Sequence, residues 1–253
     1  MAGIASVERL MQSPSHAILR KLGTKIDGLY SIPAIPDFRQ IVWPAKAKSA
    51  LVIAVSHPQG KPELDWYDAR GTTPGNRELI RIIRELSAWV EETFAIKTHK
   101  KPYQVEKGGI YLKDAAFLAG LGCVGKNNLF LALEHGPRVR LRSMLLEAEL
   151  TPTGPIDFDP CEGCEELCRT ACPQSAFEMR VHASDEIDMI SLPGRDGHFS
   201  RARCMSQIDY DEYASGIAID EVLSAGLDGE EKSHQKDRIK YCRRCEFACW
   251  VGR

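Results

Sequence analysis

The sequence has no apolar run near the roughly 20 residues that a membrane-spanning helix requires, so no membrane partner is expected. It also has no surplus of charge. Lys and Arg number 33 against 35 Asp and Glu, a net charge of −2, and no global basic surface points to nucleic acid. Low-complexity tracts and repeats of solenoid length are missing, which leaves ordinary globular architecture. The first thirty residues carry neither a signal-peptide apolar block nor paired arginines, so the expected compartment is the cytoplasm.

Cysteine, by contrast, is plentiful and unevenly placed, with nine residues mostly after residue 160. Cys161-x2-Cys164-x3-Cys168-x3-Cys172 ends directly before Pro173. That is the local pattern by which bacterial-type ferredoxins hold iron-sulfur clusters, with one departure. The usual two residues between the second and third cysteines are three here, Glu165, Glu166 and Leu167. A closing run, Cys242-x2-Cys245-x3-Cys249, and Cys204 between the two runs bring the set to eight, the number two 4Fe-4S clusters need. In two-cluster ferredoxins the fourth cysteine of a run ligates the other cluster. The expected grouping is therefore Cys161, Cys164, Cys168 and Cys249 on one cluster, and Cys172, Cys204, Cys242 and Cys245 on the other. Structural zinc is the alternative for such thiols, and the Cys-Pro ending and the interleaved count favour iron. Disulfides would require an oxidising compartment.

A chain of 253 residues suits one large domain or two small ones. Leu150 to Pro160, with three prolines and a glycine, reads as a linker between two. Upstream of it, Ile4, Val7, Leu10 and Met11, then Ile18, Leu19 and Leu22, recur at helical spacing. Ser49 to Ser56 is a continuous apolar run, the best candidate for a buried strand. His57 at its end reads either as a functional histidine or as one that hydrogen-bonds at a strand terminus. Thr73-Pro74 opens a helix that runs to about Phe94, with Leu79, Ile82, Ile83, Leu86 and Val90 as its core stripe. Two basic stretches, Lys97 to Lys101 and Lys236 to Arg244, read as solvated.

Val105 to Asn128 contains two near-motifs. Gly120-Leu-Gly122-Cys-Val-Gly125 satisfies G-x-G-x-x-G, and Gly120-x4-Gly125-Lys126 approaches a phosphate loop. The first needs a preceding strand, whereas Leu112 to Ala119 is helical in pattern; the second needs Ser or Thr where Asn127 stands. What remains is a helix ended by glycine in a left-handed turn, whose glycines let backbone approach a ligand closely. Leu129 to Leu133 and Val139 to Met144, flanking His135-Gly136-Pro137, read as a hairpin. Strands and helices are mixed, so the fold class is α+β.

The segment AGLGCVGKNN, the hairpin after it and the double cysteine set together resemble the epoxyqueuosine reductases and their relatives, the reductive dehalogenases. The resemblance runs over roughly Val105 to Cys249. It implies a nitroreductase-like α/β sandwich domain over residues 1–155 that holds cobalamin. A ferredoxin-like domain over residues 156–253 would follow, with two 4Fe-4S clusters. By the same resemblance, the turn residues Gly122, Cys123, Gly125, Lys126 and Asn127 would lie near the corrinoid. Glu106 stands where the family has a proton-donating Asp; a surface role fits it equally well. Cys123 replaces a bulky aromatic, and Trp250 replaces a proline. The chain stops at Arg253, before the residues that help those reductases hold RNA, which puts a transfer-RNA substrate in doubt. Flavin is the alternative cofactor for the first domain.

The expected function is a cobalamin-dependent reductase of a small-molecule substrate, fed by an external donor such as ferredoxin or flavodoxin. One alternative is an electron-transfer protein that reduces the corrinoid of another protein and has no substrate of its own. Another is a zinc-stabilised interaction module.

Overall fold

A computed structural model describes residues 1–16, 41–66, 72–105, 107–180, 196–215 and 242–252. Ile18, Leu19, Leu22 and Glu106 lie outside the described residues.

The chain opens on a strand, β1 (Ala2–Ser6), where helical spacing was expected from Ile4. Pairing across space overrides the short local period: β1 runs antiparallel to β2 (Ser49–Ser56), with Ile4 opposite Leu51. The helical residues begin one step later in α1 (Val7–Met11), which Ser6 caps by accepting from the backbone N–H of Arg9.

The Thr73-Pro74 signal is realised as α2 (Pro74–Phe94), in which Thr73 Oγ1 accepts from the Asn76 backbone and Ala95 ends the helix in the left-handed region. Lys97 to Lys101, expected as a solvated loop, instead contains β3 (Thr98–Lys100). The reason lies in Thr98, which is buried and hydrogen-bonded to Glu91 and Ser87 on α2, so the segment is held against the sheet edge.

Downstream come α3 (Leu112–Leu118), β4 (Gly122–Val124), β5 (Phe130–Ala132) and β6 (Val139–Leu146). The two arms of the expected hairpin go to different sheets. β5 pairs with β4, whereas β6 pairs with β2 and β3 to complete an antiparallel sheet in the order β1-β2-β6-β3. Gly122 makes the small sheet feasible: its φ is +153°, and a Cβ there would lie 1.9 Å from the Leu131 carbonyl oxygen.

Alternation along the central strands divides the core. Ile53, Met144 and Leu146 meet Leu79, Ile83 and Val90 of α2 on one face. Ala50, Val52, Leu141 and Leu145 meet α3, β4 and β5 on the other. The second cluster continues without a break to Cys161, Cys249 and Val251. The proline-rich segment joining them runs along the core, with Thr153 Oγ1 accepting from Ile4 N at 2.8 Å and donating to Ala119 O at 2.6 Å. The remaining described α-helices, α4 (Leu167–Thr170), α5 (Arg201–Ser215) and α6 (Arg244–Ala248), each carry a cysteine. No described helix is long and apolar enough to cross a membrane.

Candidate functional site

The seven cysteines of the two runs and Cys204 come together in two adjoining groups. Cys161, Cys164, Cys168 and Cys249 line one pocket, closed on the apolar side by Leu131 and Val251. In the other set, Cys204 lies in electrostatic contact with Cys172 and Cys242, and Cys245 with all three and also with Cys168 of the first. Local structure explains the interleaving. Cys168 sits within the single turn of α4, and the chain leaves that turn directly toward Cys172. One turn of α6 likewise separates Cys245 from Cys249, so a single short helix serves both sets.

All nine cysteines are free thiols. Burial pushes Cys168 up to about 11 and raises Cys161, Cys204, Cys242 and Cys245, and neighbouring thiols add to each shift. Backbone N–H groups oppose this at Cys161 and Cys242. Lys126 donates to Cys161 Sγ at 3.5 Å and Ala176 to Cys172 Sγ at 3.4 Å, and Arg244 donates to Cys242. Among the described residues no three cysteine sulfurs lie within 4.8 Å of one another.

The glycine turn lies against the first set. Gly125 N–H closes the turn on Leu129 O at 2.8 Å, which presents Lys126 and Asn127 to the cysteine run. Lys126 Nζ pairs with Glu166 at 2.6 Å, and Lys126 O accepts from Arg169 Nε at 3.0 Å. Glu166 is one of the three residues in the widened cysteine spacing. It sits at the N-cap of α4 with φ +54°, so the extra residue is absorbed as a left-handed step that also meets Lys126. Asn127 borders the thiol pocket; its Oδ1 accepts from Leu129 N, and its Nδ2 is buried with no partner. Cys123, fully buried beside Cys161 and Cys249, is pushed up to about 12, chiefly by burial.

A second polar group was not legible in the sequence. Arg243, only 5% exposed, donates through Nη2 to His57 Nδ1 at 2.7 Å and through Nε to Glu246 at 2.9 Å, and lies 3.4 Å from Asp65. Arg140 pairs with Asp65 from β6. His57 thus has the strand-terminus role, its backbone N–H also donating to Arg138 O at 2.9 Å. Burial lowers its pKa to about 4, and burial raises that of Glu246 against the pull of Arg243. His57, Asp65 and Glu246 are close enough to hold a cation, but Arg243 already supplies positive charge among them. Arg243 therefore corrects the reading of Lys236 to Arg244 as solvated: two carboxylates and a neutral imidazole draw it inside. Residues 236–241 lie outside the described residues, as does Glu106.

No protein-family model matches the chain. Curated relatives do match. An epoxyqueuosine reductase of Lactococcus garvieae (strain Lg2) is 24% identical over 212 residues, covering 80% of this chain and 51% of that protein. One from Bacillus subtilis (strain 168) is 27% identical over 154 residues, 56% of this chain and 39% of that protein. A tetrachloroethene reductive dehalogenase of Dehalobacter restrictus (strain DSM 9455 / PER-K23) is 31% identical over 98 residues, 36% of this chain and 18% of that protein. The chain spans about half the length of the first of these relatives, and less of the others. Solved epoxyqueuosine reductases from Bacillus subtilis and Streptococcus thermophilus align with all of this chain and with 61% and 62% of theirs. Their TM-scores are 0.57 and 0.58 at 20% and 19% identity, a likeness of fold. The homologues thus carry the two family names that the motifs implied.

Proposed function

We propose that this chain is an iron-sulfur oxidoreductase that carries two 4Fe-4S clusters and delivers electrons to a cobalamin-dependent reduction. What supports the reading is that Cys161, Cys164, Cys168 and Cys249 line one pocket, while Cys172, Cys204, Cys242 and Cys245 neighbour one another.

The donor sets suit clusters better than single metal ions. A tetrahedral zinc with Zn–S near 2.3 Å holds its sulfurs about 3.8 Å apart. Among the described residues no three cysteine sulfurs lie within 4.8 Å of one another. The unpartnered Nδ2 of Asn127 beside the first set also suits a sulfur-rich acceptor. When bound, such clusters supply one-electron transfer at a potential set by burial and by hydrogen bonds to sulfur. This chain's part is to give backbone N–H groups to Cys161, Cys172 and Cys242, and to exclude water with Leu131 and Val251.

Cobalamin enters through the family resemblance, with residues 1–155 as its domain, residues 156–253 as the cluster domain and Glu106 as proton donor. A second reading of the same thiol sets is an electron-transfer protein that reduces the corrinoid of another protein and has no substrate of its own. In either reading the donor is a small redox protein such as ferredoxin or flavodoxin.

Anaerobic reconstitution with iron and sulfide tests the proposal, followed by EPR before and after dithionite with cob(II)alamin added. About eight irons per chain and a base-off cobalt signal support the reductase. Clusters with a free-cofactor cobalt spectrum favour the electron carrier. Retention of zinc in place of iron would sink both readings.

A further inference from the structure

Lys126, directly after Gly125 of the glycine turn, is held at three points by the first cysteine run. Its backbone N–H donates to Cys161 Sγ at 3.5 Å, its Nζ pairs with Glu166 Oε1 at 2.6 Å, and its carbonyl accepts from Arg169 Nε at 3.0 Å. Arg169 is the joint of this arrangement. Its Nη1 lies 3.2 Å from Glu166 Oε2, and its Nη2 donates to both carboxylate oxygens of Asp196 at 2.7 Å. The centre of the guanidinium stands 5.9 Å from the centre of the Phe177 ring, and the side chain is 13% exposed.

A guanidinium is a rigid plane, so its bonds are not independent of one another. With Nη2 fixed on Asp196 and Nη1 beside Glu166, the direction of Nε is set, and Lys126 O is what it meets. Glu166 links Lys126 Nζ to the same guanidinium, so one network fixes both the carbonyl and the side chain of Lys126. The third group of Lys126, its N–H, is thereby presented to Cys161. A donor to a ligand sulfur stabilises the charge that arrives on reduction, which raises the potential of a cluster bound there. Such a bond weakens steeply as its angle bends, so the benefit depends on where Lys126 is held.

We propose that Arg169 is a positioning residue: by fixing Lys126 it keeps that residue's N–H on Cys161 Sγ and so raises the reduction potential of a cluster held by the first set. The proposal rests on the reading of that set as a cluster site. It gives the widened cysteine spacing a use, because Glu166, in its left-handed step at φ +54°, sets a carboxylate between Lys126 and Arg169. A positive charge near a cluster also raises its potential, so the test has to separate position from charge.

The test is a redox titration of the full chain, reconstituted with iron and sulfide and followed by EPR, with the signal lost in Cys161→Ser marking the first cluster. Arg169→Lys keeps the positive charge but cannot hold Lys126, Glu166 and Asp196 in one plane. Asp196→Ala frees one edge of the guanidinium and removes a negative charge, which by itself would raise the potential. Both variants should make the midpoint of the first cluster more negative, without lowering that of the second. A natural midpoint in either variant, or a raised one in Asp196→Ala, puts the effect in charge alone and overturns the proposal. A fall shared by both clusters overturns it as well, as a general loosening of the fold. If Arg169→Lys does not fold, Asp196→Ala, at the more exposed partner, decides. A natural chain that takes up no iron fails the cluster reading and this proposal with it, an outcome distinct from iron bound at an unchanged potential.

Discussion

Arg243 donates a hydrogen bond to His57 at 2.7 Å across 186 residues of chain, with both side chains buried. The bond needs a lone pair on Nδ1, so the imidazole that closes β2 must stay neutral to hold the helix that carries Cys245 and ends at Cys249.

A dependence on pH follows. Burial keeps His57 near pKa 4 in the fold, against 6.5 for the ordinary side chain. As pH falls through 6.5 the unfolded chain takes the proton first, so stability is present above that value, is lost between 6.5 and 4, and levels off below 4. The loss at the foot of that window is about 3 kcal/mol. Melting temperatures measured from pH 7 to 4.5 should fall for the natural chain. His57→Asn, which keeps an acceptor near Nδ1 and does not titrate, should flatten that part of the curve. Equal slopes for the two would contradict the assignment.

Cys161 and Cys204 fall in different sets, so their loss should be separable. Cys161→Ser and Cys204→Ser should each lower iron from about eight to about four per chain after reconstitution. Each should remove a different part of the reduced EPR spectrum. Identical spectra for the two variants, or loss of all iron in both, would speak against two separate clusters.

Asp114 is a fully buried carboxylate inside the first turn of α3. It accepts from Ser13 Oγ at 2.9 Å, Ser15 N at 3.0 Å and Ser15 Oγ at 2.8 Å, which fixes the N-terminal segment to the helix. Asp114→Ala strips those donors of their acceptor and should cost about 3 kcal/mol, read as a lowered urea midpoint at unchanged slope. A shift under about 0.5 kcal/mol would mean that water replaces the carboxylate without penalty.

Features whose cause is local were readable in the sequence. Thr73-Pro74 and the stripe from Leu79 to Val90 describe α2 because cap, proline and period all act within one helix. Ser49 to Ser56 is a strand with the bounds read from the apolar run alone. The hairpin failed because Phe130 to Ala132 had an antiparallel partner upstream in Gly122 to Val124, and proximity in sequence hid it. The network of His57, Asp65, Arg243 and Glu246 left no mark, since nothing near Arg243 distinguishes a buried arginine from a solvated one. Glu166 is an intermediate case: the widened cysteine spacing was visible, but its use as a left-handed cap paired with Lys126 depends on a turn 40 residues away.

Gly136 tests whether the loop after β5 supports the first thiol set. Its φ is +54°, and a Cβ would lie 2.0 Å from the Val251 carbonyl oxygen, which also accepts from Arg138. Gly136→Ala must therefore displace the Val251 backbone, two residues from Cys249, at a cost of about 2–4 kcal/mol. Gly163 is the control, with φ +67° but nothing within 4 Å of the added atom, so Gly163→Ala carries only the left-handed penalty of about 1–2 kcal/mol. Denaturation midpoints and iron content should separate the two variants, Gly136→Ala losing iron from the set that contains Cys249 and Gly163→Ala retaining it. Equal losses would place the effect in backbone conformation instead of in the contact between Gly136 and Val251.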